Sequence, residues 1–393
     1  MKPLRIVLVM IEPPLPFGNA ASRWFYVLLK GLVERGHDVT AFATCSKSEE
    51  IEATYKLFPA PKYNVRCFSH PVRSGLKSKF NTLLEPYSFM FSLELKVELK
   101  KALENGFDIL HLEQLWCGWL GQNHISRSLV NVHHLIWIDL EHIRPKTWTH
   151  WFERKWMIRA ERLLVKKYHF FRSCSPRLGP EMLKFNPSAE ITTVPVGLDL
   201  TQYEYISDLK RNQAPLVSVI GSMGWYPTQS AAIRFLKVLW PRIKAEMPEA
   251  KGQIVGWKAR EALKDYLNNP DVNILENVPD IRPYFENTSV LLYAPERGSG
   301  MKIKIMEAMA FGVPVVTTSE GTEGLPAKDG VHAFIAEDDD SLVKKTVRLL
   351  RDMKLQNQLR ENARGLIDSH CSPEVTLNSI EKIYSQILER NSK

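Results

Sequence analysis

A chain of 393 residues with 44% apolar content is too long for one ordinary core and suits two domains of about 200 residues each. Its five cysteines (Cys45, Cys67, Cys117, Cys174, Cys371) are odd in number, scattered and never spaced as CxxC, which argues against a disulfide framework or a zinc site and for a reducing compartment. The formal charge of +8 is one-sided: residues 1–200 hold 27 Lys+Arg against 19 Asp+Glu, and residues 201–393 hold 25 against 25. An excess confined to the first half suits an anionic partner or a solvated basic face.

The first apolar run, residues 6–11, falls far short of the roughly 20 residues of a membrane span and leads into Glu12 and prolines rather than a cleavage site. A cytoplasmic chain is expected, with a peripheral place on the inner membrane face as the alternative that its basic half allows. Residues 4–11 read as a buried strand and residues 20–35 as an amphipathic helix closed by Gly36, with the next strand in HDVTAFAT. The pattern repeats as strand 64–68, helix 89–104, strand 107–112, helix 116–126 and strand 129–133. Such alternation predicts a parallel sheet with helices on both faces. Ligands sit beyond the C-terminal ends of such strands, where the Gly18 turn, His111 and His133 fall.

Residues 138–168 read as one long helix kinked at Pro145, interleaving Trp148, Trp151 and Trp156 with Arg154, Lys155, Arg159, Lys166 and Lys167. Such a helix can lie on an anionic membrane, or it can turn its aromatic residues to the core and its charges to water; the second reading covers most of its length. Strands at 169–173 and 191–196 complete a first domain, 1–198, and a linker follows at 199–213. A second alternation then fills a domain at 214–370: strand 216–221, helix 229–246, strand 252–257, helix 259–267, strand 272–275, a helical turn at 281–286 and strand 289–294. Another strand (314–318) and two helices (339–351, 354–369) follow. A last amphipathic helix, within 371–393, is expected to pack back towards the first domain.

The most informative stretch is APERGSGMKIKIMEAMAFGVPVVTT. Gly298 and Gly300 permit close backbone approach, the N–H groups of residues 299–302 at a helix start attract an anion, and Arg297, Lys302 and Lys304 add positive charge. Pyrophosphate is the natural occupant; a merely tight turn with exposed lysines is the plain alternative. Glu307, in the apolar middle of the helix, needs a partner. A ribose diol or Lys304, one turn earlier, can serve.

The run RGSGMKIKIMEAMAFGVPVVTT followed by EGTEGL, with GHDVTAF, VPVGLD, GSMGWYPTQ and VPDIRPYFENTSVLLYAP elsewhere, resembles the retaining GT-B glycosyltransferases of family 4, in particular a bacterial sugar-transferase branch. The resemblance covers almost the whole chain. It implies an α/β fold of two Rossmann-like, doubly wound domains facing a central cleft, with the C-terminal helix crossing back to the first. It implies transfer of a hexose-type sugar from a nucleotide-diphosphate donor to an acceptor hydroxyl with retention of configuration, in polysaccharide, glycolipid or glycoconjugate synthesis. Donor binding then falls to Gly221, Ser222, Arg297, Gly298, Ser299, Gly300, Met301, Lys302, Lys304 and Glu307, with Gly18 from the first domain. The catalytic roles fall to His133, Lys302 and Glu307, and Arg23, His111 and His134 support the site or the acceptor.

Two departures stand out. Ser299 occupies the place of the family's first motif glutamate, and Glu296 lies at a different spacing. After the first strand of the second domain the family's Arg and Lys are replaced by Gly221 to Tyr226, so the diphosphate charge is left to Arg297, Lys302 and Lys304. No metal or cofactor is expected; Asp338, Asp339 and Asp340 read as a helix cap. The partners implied are a nucleotide-sugar donor, a sugar, lipid-linked or small-molecule acceptor and an anionic membrane surface; no nucleic-acid module accompanies them. A GT-B sugar-nucleotide epimerase, an inverting transferase and a non-catalytic membrane-surface relative are the competing readings.

Overall fold

The computed structural model describes residues 2–71, 82–141, 144–145, 147–206 and 215–392, so the later part of the expected linker, residues 207–213, lies outside the described residues. The chain divides into two units, one made of Met1–Asp199 with Ser372–Lys393 and one of Leu200–Cys371.

In the first unit, β1 (Arg5–Met10), β2 (Asp38–Cys45), β3 (Asn64–Ser69), β4 (Ile109–Glu113), β5 (Ser128–Val132), β6 (Phe170–Ser173) and β7 (Glu190–Thr193) form one sheet in the order β3-β2-β1-β4-β5-β6-β7. Every pairing is parallel. Strands β4, β5 and β6 are buried along their whole length, as a sheet covered on both faces requires. The order reverses between β1 and β4, so connections leave these neighbours in opposite directions and a crevice opens at their C-terminal ends. There Met10 pairs with Glu113.

The Ala20–Glu34 helix starts where the Asn19 side chain accepts a hydrogen bond from Ser22 N at 2.9 Å, and it buries Trp24, Phe25, Leu28 and Leu32. The Pro373–Asn391 helix, capped by Ser372, crosses back onto it. A Cβ on Gly31 would lie 2.2 Å from Leu377 Cδ1, so the two helices meet where one lacks a side chain. Arg35 and His37 reach the Glu381 carboxylate at 2.7 and 3.0 Å.

In the second unit, β8 (Leu216–Ile220), β9 (Lys251–Gly256), β10 (Val272–Glu276), β11 (Val290–Tyr293), β12 (Val315–Thr317) and β13 (Phe334–Ile335) form a second parallel sheet in the order β10-β9-β8-β11-β12-β13. Its reversal lies between β8 and β11. The Ile303–Phe311 helix follows β11, is buried except for Lys304, and ends at Gly312, whose φ of +75° favours glycine.

Several elements differ from expectation. The 138–168 stretch is two helices, Ile136–Asp139 and Trp148–Lys167, with Pro145 between them, because proline fits a helix interior poorly. The expected 116–126 helix is two 3-10 turns, Leu115–Trp119 and Ile125–Arg127; Gly118 and Gly121 weaken any longer helix there. The 259–267 helix shortens to Ala259–Ala262 and a turn at Lys264–Tyr266. The helices Ser48–Leu57 and Leu178–Leu183 and strand β13 were not foreseen. In the Trp148–Lys167 helix, Ala160, Glu161, Leu164 and Val165 are the buried stripe. Trp148 is 76% exposed and stacks on Trp151 with ring centroids 5.0 Å apart, so its leading tryptophans do not face the core. Among the described residues no helix is long and apolar enough to cross a membrane.

Candidate active-site residues in each unit

In the first unit the turn after β1 carries Gly18 at φ +87°, and Arg23 donates to the Gly18 carbonyl from Nη2 at 2.8 Å and from Nε at 3.2 Å. The cation thereby braces the backbone it was expected to support. Across the reversal, β4 ends in His111 and Glu113. Alternation along a strand puts residues two apart on one face, and both are fully buried. His133, just past β5, donates from Nε2 to Glu113 Oε2 at 3.0 Å. Asn131 Nδ2 reaches Oε1 at 2.5 Å and Trp24 Nε1 reaches Oε2 at 3.1 Å. His111 Nε2 lies 2.9 Å from Oε1, close in distance although off the ideal hydrogen-bond line. On its other side, His111 Nδ1 meets the Tyr384 hydroxyl at 2.6 Å. Buried Arg172 donates to Asn131 Oδ1 at 3.0 Å and lies over the Trp24 ring.

Burial alone would raise the Glu113 pKa, yet the hydrogen bonds and charge of His111 and His133 outweigh it and hold the carboxyl well below its usual range. Burial pushes His133 down, against the opposing pull of Glu113. The cluster is therefore an ionised carboxylate with a neutral His133 beside it. His134, the next residue, is half-buried.

In the second unit, the turn after β8 is fastened to the end of β9. Gly221 N donates to Val255 O and Met223 N to Trp257 O, both at 2.9 Å. A Cβ on Gly256 would lie 1.7 Å from Gly221 O, so only glycine permits this approach. Ser222 is half-buried beside it. Across the reversal, Glu296, after β11, accepts a hydrogen bond from the hydroxyl of Tyr226, which starts the helix after β8; this hydrogen bond, with partial burial, pushes the tyrosine up to about 12. Gly298 N donates to Glu320 Oε2 at 3.2 Å.

Lys302 is 7% exposed. Its Nζ donates to the Gly298 carbonyl at 3.1 Å and to the Gly300 carbonyl, closing the loop on itself. Lys302, expected to face the diphosphate as a cation, thus braces the glycine turn. Ser299, expected among the donor-binding groups, is fully buried in the same loop. Met301 and Arg297 are half-buried in the same loop. Glu307 is 1% exposed and accepts from Lys304 Nζ at 2.8 Å and from the Tyr203 hydroxyl at 3.1 Å.

The structure therefore gathers Gly18, Arg23, His111 and His133 at one sheet reversal, and Gly221, Ser222, residues 297–304 and Glu307 at the other. Sequence reasoning missed Glu113, Asn131, Arg172, Tyr384, Tyr203 and Gly256. Glu113 carried a signal, an acid at the end of an apolar strand two residues after a histidine. The tyrosines carried none, being 273 and 104 residues from their partners. Among the described residues no group of three or more His, Cys, Asp or Glu is arranged to hold a metal ion.

A family model described as Glycosyltransferase Family 4 matches residues 21–202, and one described as Glycosyl transferases group 1 matches residues 214–352. The capsular polysaccharide biosynthesis glycosyltransferase CapM of Staphylococcus aureus is 26% identical over 132 residues, covering 32% of this chain and 34% of that protein. An uncharacterized glycosyltransferase of Haemophilus influenzae is 27% identical over 145 residues, 35% and 40% of the two chains. The chain thus spans less than half the length of these curated relatives. Among solved structures, sucrose-phosphate synthase from Thermosynechococcus elongatus superposes with a TM-score of 0.71 at 15% identity, over 98% of this chain and 99% of that one. Anabaena HepE in complex with UDP-glucose gives 0.67 at 13% identity, over 99% of each. At such identities the structural likeness establishes the fold.

Proposed function

The chain belongs to the GT-B glycosyltransferases, and on that premise we propose that it moves a hexose-type sugar from a nucleoside-diphosphate donor to an acceptor hydroxyl with retention of configuration. The observation that carries the donor half is Glu307, a buried carboxylate on the helix that leaves β11 at the reversal of the second sheet, held by Lys304 and Tyr203. A ribose diol offers this carboxylate two hydroxyl hydrogens and takes over from Lys304, whose ammonium then turns to the diphosphate. Lys304 lies beside the fastened Gly221 turn: its Cγ is 3.4 Å from where a Gly221 Cβ would be. The start of the Ile303–Phe311 helix and Arg297 add positive potential where the leaving diphosphate gains charge. With these cations in place, transfer is expected to proceed without added metal. The family resemblance gives His133 the role of contacting the donor sugar.

HepE binds UDP-glucose and CapM is named for capsular polysaccharide synthesis, which supports UDP-sugars as the first donors to test and a growing polysaccharide or glycoconjugate as acceptor. The exposed face of the Trp148–Lys167 helix favours an acceptor held at an anionic membrane surface. The deciding measurement is a thermal-shift titration with nucleoside diphosphates and their sugars: one of them raises the melting temperature in a concentration-dependent way, by about 2.7 kcal/mol of linkage at one hundred times its Kd. A chain that responds to none of UDP, GDP, ADP or dTDP sinks the reading.

A further inference from the structure

The Glu113 carboxylate has two oxygens with two lone-pair directions each, and three N–H groups donate to it, Asn131 Nδ2 at Oε1 and Trp24 Nε1 and His133 Nε2 at Oε2, while His111 Nε2 lies 2.9 Å from Oε1 off the hydrogen-bond line. A carboxylate only accepts, so the His133 nitrogen bonded to it, Nε2, carries the proton. On the far side of His111, its Nδ1 shares a hydrogen bond of 2.6 Å with the Tyr384 hydroxyl. Tyr384 comes from the Pro373–Asn391 helix, is fully buried, and burial keeps its phenol protonated and able to donate. Asn131 then has one orientation, its amide N–H on Glu113 and its oxygen on Arg172, so the negative and positive buried charges are linked through one side chain.

We propose that Glu113 is a positioning residue that fixes His133 as the tautomer protonated on Nε2, leaving Nδ1 as a bare acceptor for a donor-sugar hydroxyl, and that Tyr384 closes the far end of the same network through His111. The reacting site then selects a sugar that presents a hydroxyl hydrogen, and the C-terminal helix contributes to that selection without touching the sugar. This rests on the reading that His133 meets the donor.

The test is the ring 15N spectrum of His133 in the full chain. Wild type shows a single neutral tautomer with the proton on Nε2. Glu113→Gln keeps the shape but turns one acceptor into an NH2 donor, so the single tautomer is lost. With UDP-glucose as the probe donor, kcat falls about a hundred-fold while KM moves less than about three-fold. Tyr384→Phe removes one hydroxyl and lowers kcat by about three- to ten-fold in the same pattern. A purely structural Glu113 would lower stability and leave the tautomer unmoved. The proposal is overturned by a wild-type His133 protonated on Nδ1 or on both nitrogens at neutral pH, or by a Glu113→Gln variant with an unchanged tautomer. Should Glu113→Gln not fold, the wild-type spectrum and Tyr384→Phe decide. Should His133→Asn turn over UDP-glucose like wild type, the functional reading of His133 fails while the tautomer assignment stands or falls on its own spectrum.

Discussion

Three buried glutamates show how little a residue type says without its surroundings. Glu113 accepts three hydrogen bonds and stays ionised. Glu307 has an ammonium and a phenol. Glu161 has two backbone N–H groups, of Ile136 at 2.9 Å and Trp137 at 3.3 Å, and burial outweighs them, raising its pKa to about 8. The folded chain therefore keeps a proton on Glu161 where the unfolded chain has lost it. That contribution to stability is complete below the ordinary value of 4.5 and is lost as pH rises through about 8. Glu161→Gln imitates the protonated acid, so urea midpoints measured from about pH 6 to about pH 9 should fall for wild type relative to the variant; parallel curves would refute the assignment. At Gly256 the constraint is steric. Alanine there collides with the Gly221 carbonyl, a backbone atom that cannot swing aside, so Gly256→Ala is expected to lose about 1–3 kcal/mol in chemical denaturation and to abolish the nucleotide-dependent thermal shift. An unperturbed variant would mean that the β8 turn is not held as described. Glu307 and the GSG turn were legible because a charge amid apolar residues, or paired glycines among cations, stands out locally. Lys302 shows the limit: its basic side chain was plain, but its direction depends on carbonyls that only the folded turn brings to it.

At the scale of elements, the strands were the readable part, since a sheet covered on both faces demands unbroken apolar runs, and β1, β4 and β5 supply them. Helix ends were less so, because Pro145, Gly118 and Gly121 act through backbone geometry that periodicity does not register. The Trp148–Lys167 helix was read with the wrong face inward at its start. On its outer side Trp148, Trp151, Phe152, Lys155, Arg159, Arg162, Leu163 and Lys166 recur at helical spacing and are exposed, a stripe of aromatic and cationic residues without a carboxylate. Lys155 sits over the Trp151 ring and Arg159 over that of Trp156, so the rings are already paired with charge. Sedimentation with phosphatidylglycerol-containing vesicles should recover the protein in the pellet at low salt. Binding should weaken about five-fold for each of Lys155, Arg159 and Lys166 changed to Gln and further with Trp148→Ala and Trp151→Ala. Equal recovery with neutral vesicles, or indifference to salt, would count against a lipid surface.

For the whole molecule, both sheet orders reverse once, and each reversal gathers the residues on which function is proposed to rest. The alternation of strand and helix made the two doubly wound sheets legible from sequence; strand order was not, because it depends on which distant runs pair. The first unit is also not one continuous segment. It needs Leu377, Ile380, Ile383, Tyr384 and Ile387, all buried. At about 1.5–3 kcal/mol each on burial, these residues together match the roughly 5–15 kcal/mol that holds a typical domain folded. A chain ending at Cys371 is therefore expected to lose the first unit's cooperative melting transition while the second unit, continuous from Leu200, keeps its own; two unchanged transitions in calorimetry would contradict this. The returning helix has a consequence for synthesis on the ribosome. Residues 1–199 emerge before 373–391 and lack the Tyr384 and Leu377 faces until that later helix appears, so this unit is completed only after the second unit has been translated. During that interval the face of the Ala20–Glu34 helix beside Gly31 lies uncovered, which makes the growing chain most vulnerable to aggregation and proteolysis in its earlier unit.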